Sequence, residues 1–204
     1  MRTIKTIFVA LLFSLLLSSC YVFEKGYTND NGQYVPKNPN FKLKDKPNNI
    51  IPNNLDTEDI YRLAKIYDSG KLIYPKKNLT TVEQNSFLQE LQMSVRYLKF
   101  YQNGRCLNFS ISSKNRLNTN NQLKETDLNH NNPYYSKEYY YSNDGKEIYK
   151  ESFVYGEGFG MYSITSFVLN KAGDSIIIDD KKGSKVIYTK EILPINWKKY
   201  NVDW

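Results

Sequence analysis

The stretch Leu98-Lys99-Phe100-Tyr101-Gln102-Asn103-Gly104-Arg105-Cys106-Leu107-Asn108-Phe109-Ser110-Ile111 constrains the fold more than any other part of the chain. Asn-Gly between two runs of alternating apolar and polar residues is the strongest local signal for a β-hairpin, because both residues of a two-residue turn need positive φ. Such a turn pairs Gln102 with Arg105, and therefore Phe100 with Leu107 and Leu98 with Phe109. Those four side chains would share one face, the expected core, leaving Tyr101 and Cys106 on the other.

The same pattern recurs downstream. Strands are expected over residues 139–142, 147–155, 159–169, 174–179 and 185–191, with an Asp144-Gly145 turn that would pair Tyr141 with Ile148 and a glycine-rich break at Gly156-Glu157-Gly158. Short strands separated by turns at this spacing point to an antiparallel barrel or sandwich. Upstream, the segment from Asp56 to Tyr67 carries Ile60, Leu63, Ala64 and Tyr67 at helical spacing behind a capping Asp/Thr pair. The turn residues Asp68-Ser69-Gly70-Lys71, followed by Leu72-Ile73-Tyr74-Pro75, favour a strand hairpin there instead. Residues 81–94, with Phe87, Leu88 and Leu91 on one stripe, make the other candidate helix, and 113–133 read as a long polar loop carrying His130, the sole histidine.

The first residues set the address. Arg2 and Lys5 precede an apolar run from Ile7 to Leu17, the layout of a secretory signal, and the run is far shorter than the roughly 20 residues a membrane-spanning helix needs. Leu17-Ser18-Ser19-Cys20 resembles the lipobox of bacterial lipoproteins. That resemblance implies a diacylglycerol on the Cys20 sulfur, cleavage before Cys20 and acylation of the new amine, which together hold a protein firmly on a membrane. It also implies the outer membrane, periplasmic face, since Tyr21 stands where an inner-membrane aspartate would be. The expected organisation is a signal peptide over 1–19, a lipidated Pro/Asn-rich tether over 20–55 along which Tyr34, Phe41, Leu43 and Ile50-Ile51 could still lie on the domain, and a β-domain over 56–204 with an aromatic C-terminal tail.

Removing Arg2 and Lys5 with the signal lowers the formal charge from +7 to +5. The lysines lie beside acids, as in Lys146-Glu147 and Asp180-Lys181-Lys182, so no basic stripe is offered to nucleic acid. With Cys20 committed to lipid, Cys106 has no partner for a disulfide within the chain and reads as a small, half-buried strand residue.

The hairpin from Leu98 to Ser110 and the run from Tyr139 to Asp179, ending in Gly173-Asp174-Ser175-Ile176-Ile177-Ile178, are similar to a class of small bacterial lipoproteins in which a lipobox and a polar tether precede a lipocalin-like β-domain. The resemblance implies a mostly β fold, an antiparallel lipocalin-like barrel or meander of about eight strands. The Gly-x-Trp mark of true lipocalins is missing, both tryptophans being at the C-terminus, and the spacing of Tyr-rich strands is also similar to an open MORN-like meander.

Chemistry is sparse. One histidine in an Asn-rich loop supports neither a nucleophile pair nor a zinc site, and Glu147 and Glu151, about 13 Å apart along one strand face, read as surface charges. No catalytic, cofactor or metal residue is assigned, and the chain is read as a non-enzyme. Aromatic content carries the functional reading: Tyr139, Tyr140 and Tyr141, with Trp197 and Trp204 in the tail, are the candidate surface for a small apolar or glycan ligand, or for an envelope protein partner in an assembly role.

Overall fold

The computed structural model describes residues 26–28, 34–37, 39–44, 46–47, 49–75, 94–112, 123–128, 136–156, 159–179 and 183–198. Residues 81–93 of the candidate helix, His130 and Trp204 lie outside them. Contacts divide the chain into two compact units, one of residues 1–39 with 153–162 and one of residues 40–152 with 163–204.

In the first unit, β1 (Gly26–Thr28) pairs antiparallel with β2 (Tyr34–Pro36). Gly160 lies so close to Phe153 that a Cβ there would sit 2.0 Å from the ring, and Phe153 meets Tyr162 edge-on at 5.2 Å. A side chain at 160 would therefore require the Phe153 ring to move, while φ there makes no demand for glycine.

The remaining strands are β3 (Ile60–Asp68), β4 (Lys71–Tyr74), β5 (Ser94–Phe100), β6 (Arg105–Ser112), β7 (Ser136–Tyr141), β8 (Glu147–Gly156), β9 (Phe159–Leu169), β10 (Ser175–Asp179) and β11 (Lys185–Glu191). In sheet order β3, β5, β6, β7, β8, β9, β10 and β11 follow one another, and β11 returns to pair with β3 from Lys185↔Tyr67 to Glu191↔Ile60. The result is a closed eight-stranded antiparallel barrel with β4 as an extra strand on β3, and the closure excludes the open meander. Residues 60–74 form the hairpin that the turn chemistry favours over a helix: Ser69 (φ 50°) and Gly70 (φ 77°) both take positive φ, so a two-residue turn joins Asp68 to Lys71.

The Asn103-Gly104 hairpin forms in a register shifted by one from expectation. Phe100 pairs with Cys106, Leu98 with Asn108 and Tyr97 with Phe109. Gly104 N–H donates to Tyr101 O (3.2 Å) and Tyr101 N–H to Arg105 O (2.9 Å), and of the turn residues only Gly104 has positive φ, at 79°. This is a three-residue loop with glycine as the extra, left-handed residue rather than a two-residue turn. The same slip occurs at Gly145 (φ 68°), where Tyr141 pairs with Tyr149 and not with Ile148.

A one-residue slip exchanges faces on one strand. Leu98 and Phe100 therefore point inward with Cys106, while Leu107 and Phe109 point outward with Tyr97 and Tyr101. Cys106 is fully buried inside the barrel, correcting its half-buried outer placement. Inside, Phe100 is surrounded by Tyr61 (5.9 Å, edge-on), Tyr140 (5.2 Å, edge-on) and Phe167 (5.6 Å), with Ile148 and Ile176 in the same cluster. These rings fill the turn end of the lumen. Outside, Tyr97 stacks on Phe109 at 5.4 Å, and this second core on β5 and β6 includes Leu128 from a 3₁₀ turn at Glu125–Leu128 and Leu193 and Trp197 from the C-terminal segment.

Polar groups tie the start of β3 to its surroundings. Asp56 Oδ1 accepts from Glu58 N–H (2.8 Å) and Asp59 N–H (2.7 Å), making a tight turn. The Lys99 ammonium, only 3% exposed, donates to the carbonyls of Thr57 (2.7 Å), Glu58 (2.8 Å) and Asp59 (3.1 Å). Asp59 in turn accepts from Leu193 N–H (3.0 Å) and Lys198 Nζ (2.8 Å), which fixes the C-terminal segment.

Candidate functional site

The lumen changes character along its axis because inward positions recur every second residue along each strand. Beyond Ile148 on β8 come Lys150 and Ser152, before Tyr140 on β7 come Glu138 and Ser136, and beyond Cys106 on β6 comes Asn108. Lys150 Nζ bonds Glu138 Oε2 at 2.5 Å and Ser152 Oγ at 2.9 Å. Glu138 Oε1 accepts from Asn108 Nδ2 (3.2 Å) and Ser136 Oγ (3.3 Å). Both charged side chains are buried, so the pair persists because each member has hydrogen-bond partners besides the other.

Burial is the largest single influence on Lys150 and lowers its pKa, but the Glu138 carboxylate, with smaller contributions from Cys106 and Tyr188, outweighs it and raises the ammonium above the ordinary lysine value. Burial pushes the Cys106 thiol well up, with Glu138 adding to the shift. Tyr188 reaches in from β11, on the opposite side of the ring from β7; burial raises its phenol, and Lys150 and Arg96 partly oppose the shift. The Tyr188 phenol thus feels an ammonium, a guanidinium and a carboxylate across the lumen.

The opposite wall is apolar. Ile178, Val186, Ile66 and Tyr74 are direct cross-strand neighbours in a row over β10, β11, β3 and β4. The register shifts between Ile187 and Tyr188 in the β11–β3 pairing, leaving Ala64 as the extra residue, so that Leu63 and Ile66 both face the interior. All four side chains of the row pack against the inner core and are only half buried, whereas Leu63, Ile176 and Tyr188, one layer deeper, are buried. The lumen is closed by aromatic rings at the turn end and is two-faced at the other, apolar on β10–β4 and hydrogen-bonding on β6–β8.

A second concavity lies where the described residues 41–44, 46–47 and 49 lie across the outer wall. Phe41 packs on Tyr139 at 4.8 Å, Leu43 N–H donates to Glu151 Oε2 at 2.7 Å, and Lys46 Nζ sits 5.4 Å from the centre of the Tyr141 ring. Asn49 clamps the β7–β8 corner, donating to Tyr140 O (3.2 Å) and accepting from Ser142 N–H (3.0 Å). Glu151 is consequently buried, not the surface charge its spacing suggested, and its Oε1 has no hydrogen-bond partner among the described residues. The pocket beneath this strap, about 230 Å³, is lined by Leu43, Lys46, Asn49, residues 102–105, Tyr139 and Tyr140.

Of the aromatic candidates, Tyr139 and Tyr140 line this pocket, Tyr140 with its ring in the core and its hydroxyl donating to Tyr101 O, and Tyr141 lies beside Lys46. Trp197 packs instead against the outer core of β5 and β6. The Glu138–Lys150 pair was missed because Lys and Glu in a strand read as surface residues; the signal was parity, each standing two residues from an inward Tyr140 or Ile148. Among the described residues no group of three His, Cys, Asp or Glu side chains could hold a metal ion. No protein-family model, no curated protein and no solved structure matches the chain, so the functional reading rests on this geometry.

Proposed function

We propose that the chain is a non-catalytic binding module of the bacterial cell envelope, anchored through lipid on Cys20 at the periplasmic face of the outer membrane, which takes a small, largely apolar ligand with a polar head into the two-faced end of its barrel. The observation that carries the reading is the half-exposed inward row Ile178, Val186, Ile66 and Tyr74 opposite the buried Glu138–Lys150 pair. An apolar body on the first and a hydrogen-bonding head near the second is the division of labour a small-ligand site uses. The aromatic plug at the other end limits the ligand to a shallow seat.

Titration with N-phenyl-1-naphthylamine, which brightens in apolar surroundings, tests this. Saturable brightening is expected from the unaltered chain and is lost in Val186→Trp, which fills the seat, but kept in Ile177→Lys on the outer face. Brightening that survives Val186→Trp and disappears in Ile177→Lys defeats the lumen site. For the anchor, Cys20→Ser is expected to abolish acyl labelling and release the protein from membranes; persistent acylation refutes it.

A second reading, an assembly subunit, is favoured by one feature. Val168, Ile177 and Ile187 are cross-strand neighbours on the outer face of β9–β11, and Val168 and nearby Ile164 are 46% and 49% exposed. An apolar patch of this kind suits a protein partner. Native pull-down of the solubilised lipidated protein should recover a stoichiometric partner that Ile177→Lys loses; recovery of the lone monomer counts against it.

A further inference from the structure

The hydrogen-bonding wall of the lumen is built in two depths. Glu138 and Lys150 lie at the back of it, their side chains 1% and 8% exposed. Both Glu138 oxygens are engaged within the protein, Oε2 by Lys150 and Oε1 by Asn108 and Ser136. A ligand therefore meets what stands around the pair. Asn108, Ser136 and Ser152 are half-buried, and so is Thr165, which stands two residues from inward Phe167 on the neighbouring strand β9. The part of this wall that a head group can touch is hydroxyl and carboxamide.

We propose that the head of the lumen ligand is uncharged and bears a hydroxyl or an amide, so that the ligand is a neutral single-chain amphiphile rather than a fatty-acid anion or an alkyl amine. This rests on the lumen reading above and adds the chemistry of the head to it.

Hydrogen-bonding capacity points this way. Ser152 Oγ accepts from Lys150 and keeps its own proton to donate, while Ser136 donates to Glu138 and keeps its lone pairs to accept. Asn108 gives one amide hydrogen to Glu138, and among the described residues its Oδ1 and the Thr165 hydroxyl have no partner. Donors and acceptors thus alternate around the pair. A hydroxyl or an amide uses both kinds at once, whereas a carboxylate only accepts and an ammonium only donates.

Charge points the same way. An anionic head beside Ser136 would stand against the Glu138 carboxylate, and a cationic head beside Ser152 against the Lys150 ammonium that donates to that hydroxyl. Lys150 and Glu138 already neutralise each other, so either head would leave water without gaining an unpaired counter-ion from them. Arg96, also at an inward position, has a partner of its own and sits cross-strand from exposed Ser110, where solvent screens its pull on an anion.

Displacement of N-phenyl-1-naphthylamine from the full chain in detergent at pH 7.5 tests the head, with decanol, decanamide, decanoate and decylammonium as separate competitors. Each titration is repeated on Val186→Trp, whose signal is subtracted as the micelle background. Decanol and decanamide are expected to displace the dye at concentrations at least about tenfold lower than decanoate and decylammonium. In Ser152→Ala/Thr165→Val the two neutral competitors weaken by about tenfold and the two charged ones do not, while unchanged dye binding shows that the variant is folded. Either charged competitor matching decanol, or neutral competitors indifferent to the double substitution in folded protein, overturns the assignment. Dye binding that none of the four displaces overturns it too and leaves the lumen reading standing. Absence of dye binding to the unaltered chain brings down both.

Discussion

Lys99 offers the sharpest test of the energetics. Its ammonium is almost wholly buried, caged by three carbonyls, and burial pushes its pKa down to about 8 despite the nearby carboxylates of Glu58, Asp56 and Asp59. In the unfolded chain the same group titrates near 10.5. Between those values the unfolded state binds more protons than the folded one, so this group makes stability rise with pH. From pH 7.5 to 9.5 the contribution is about 2 kcal/mol, or about 1 M in the urea midpoint for a domain of this size. Tyr61 and Tyr97, raised to about 12 by burial, act the other way: the folded state keeps protons that the unfolded state loses above about pH 10, so their stabilisation is lost as pH climbs further. The Cys106 thiol, also raised, opposes Lys99 from about pH 9. Comparing the unaltered chain with Lys99→Met by urea unfolding at pH 7.5, 8.5 and 9.5 cancels these opposing groups. The stability difference between the two should shift by about 2 kcal/mol in favour of the unaltered chain across that window. Parallel pH profiles would show that Lys99 does not titrate as a caged, desolvated amine.

Three further outcomes follow from the packing. Lys150→Met leaves Glu138 buried without its cation and should cost about 3–5 kcal/mol by denaturant unfolding, whereas the double variant Glu138→Leu/Lys150→Met should recover most of that loss; equal losses in both would refute an uncompensated charge as the cause. Gly173→Ala places a Cβ 2.1 Å from Asn54 O at φ 71° and should destabilise by at least about 2 kcal/mol, measured the same way, with a smaller effect showing that the 49–55 segment yields freely. Cys106 should resist a thiol reagent until the barrel opens, its modification rate following global unfolding across a urea series; fast labelling in native buffer would contradict its burial.

The strand succession was legible because turn glycines and apolar alternation are local signals. β7 to β11 lie within a few residues of where alternation places them, and the 60–74 hairpin was readable from its Ser69-Gly70 turn. Register was not legible. At Asn103-Gly104 and again at Asp144-Gly145 the dipeptide fits either a two-residue turn or a three-residue loop with a left-handed glycine, and the choice reverses the facing of every residue on one strand. The decision is made by what the second strand must bury: Cys106 fits beside Phe100 inside, and Leu107 and Phe109 are needed outside under Leu128, Leu193 and Trp197. Those covering segments are distant in sequence, so alternation alone could not reveal that both faces of β5 and β6 are cores. The strap pocket was half legible: the tyrosine cluster marked its wall, but Lys46, Asn49 and Arg105 come together only once the Pro/Asn-rich segment is laid across the barrel.

β4 carries a consequence for solubility. Ring closure gives every barrel strand two neighbours in the sheet order, whereas β4 has only β3, so among the described strands β4 presents a side along which a foreign chain could extend this sheet. Unpaired strand sides seed intermolecular pairing unless they are short, charged or interrupted. Four residues long, opened by Lys71 and followed directly by Pro75, β4 has all three protections, although Leu72 and Ile73 between them are apolar. Aggregation of this protein should therefore respond more strongly to neutralising Lys71 or replacing Pro75 than to comparable changes on the closed wall.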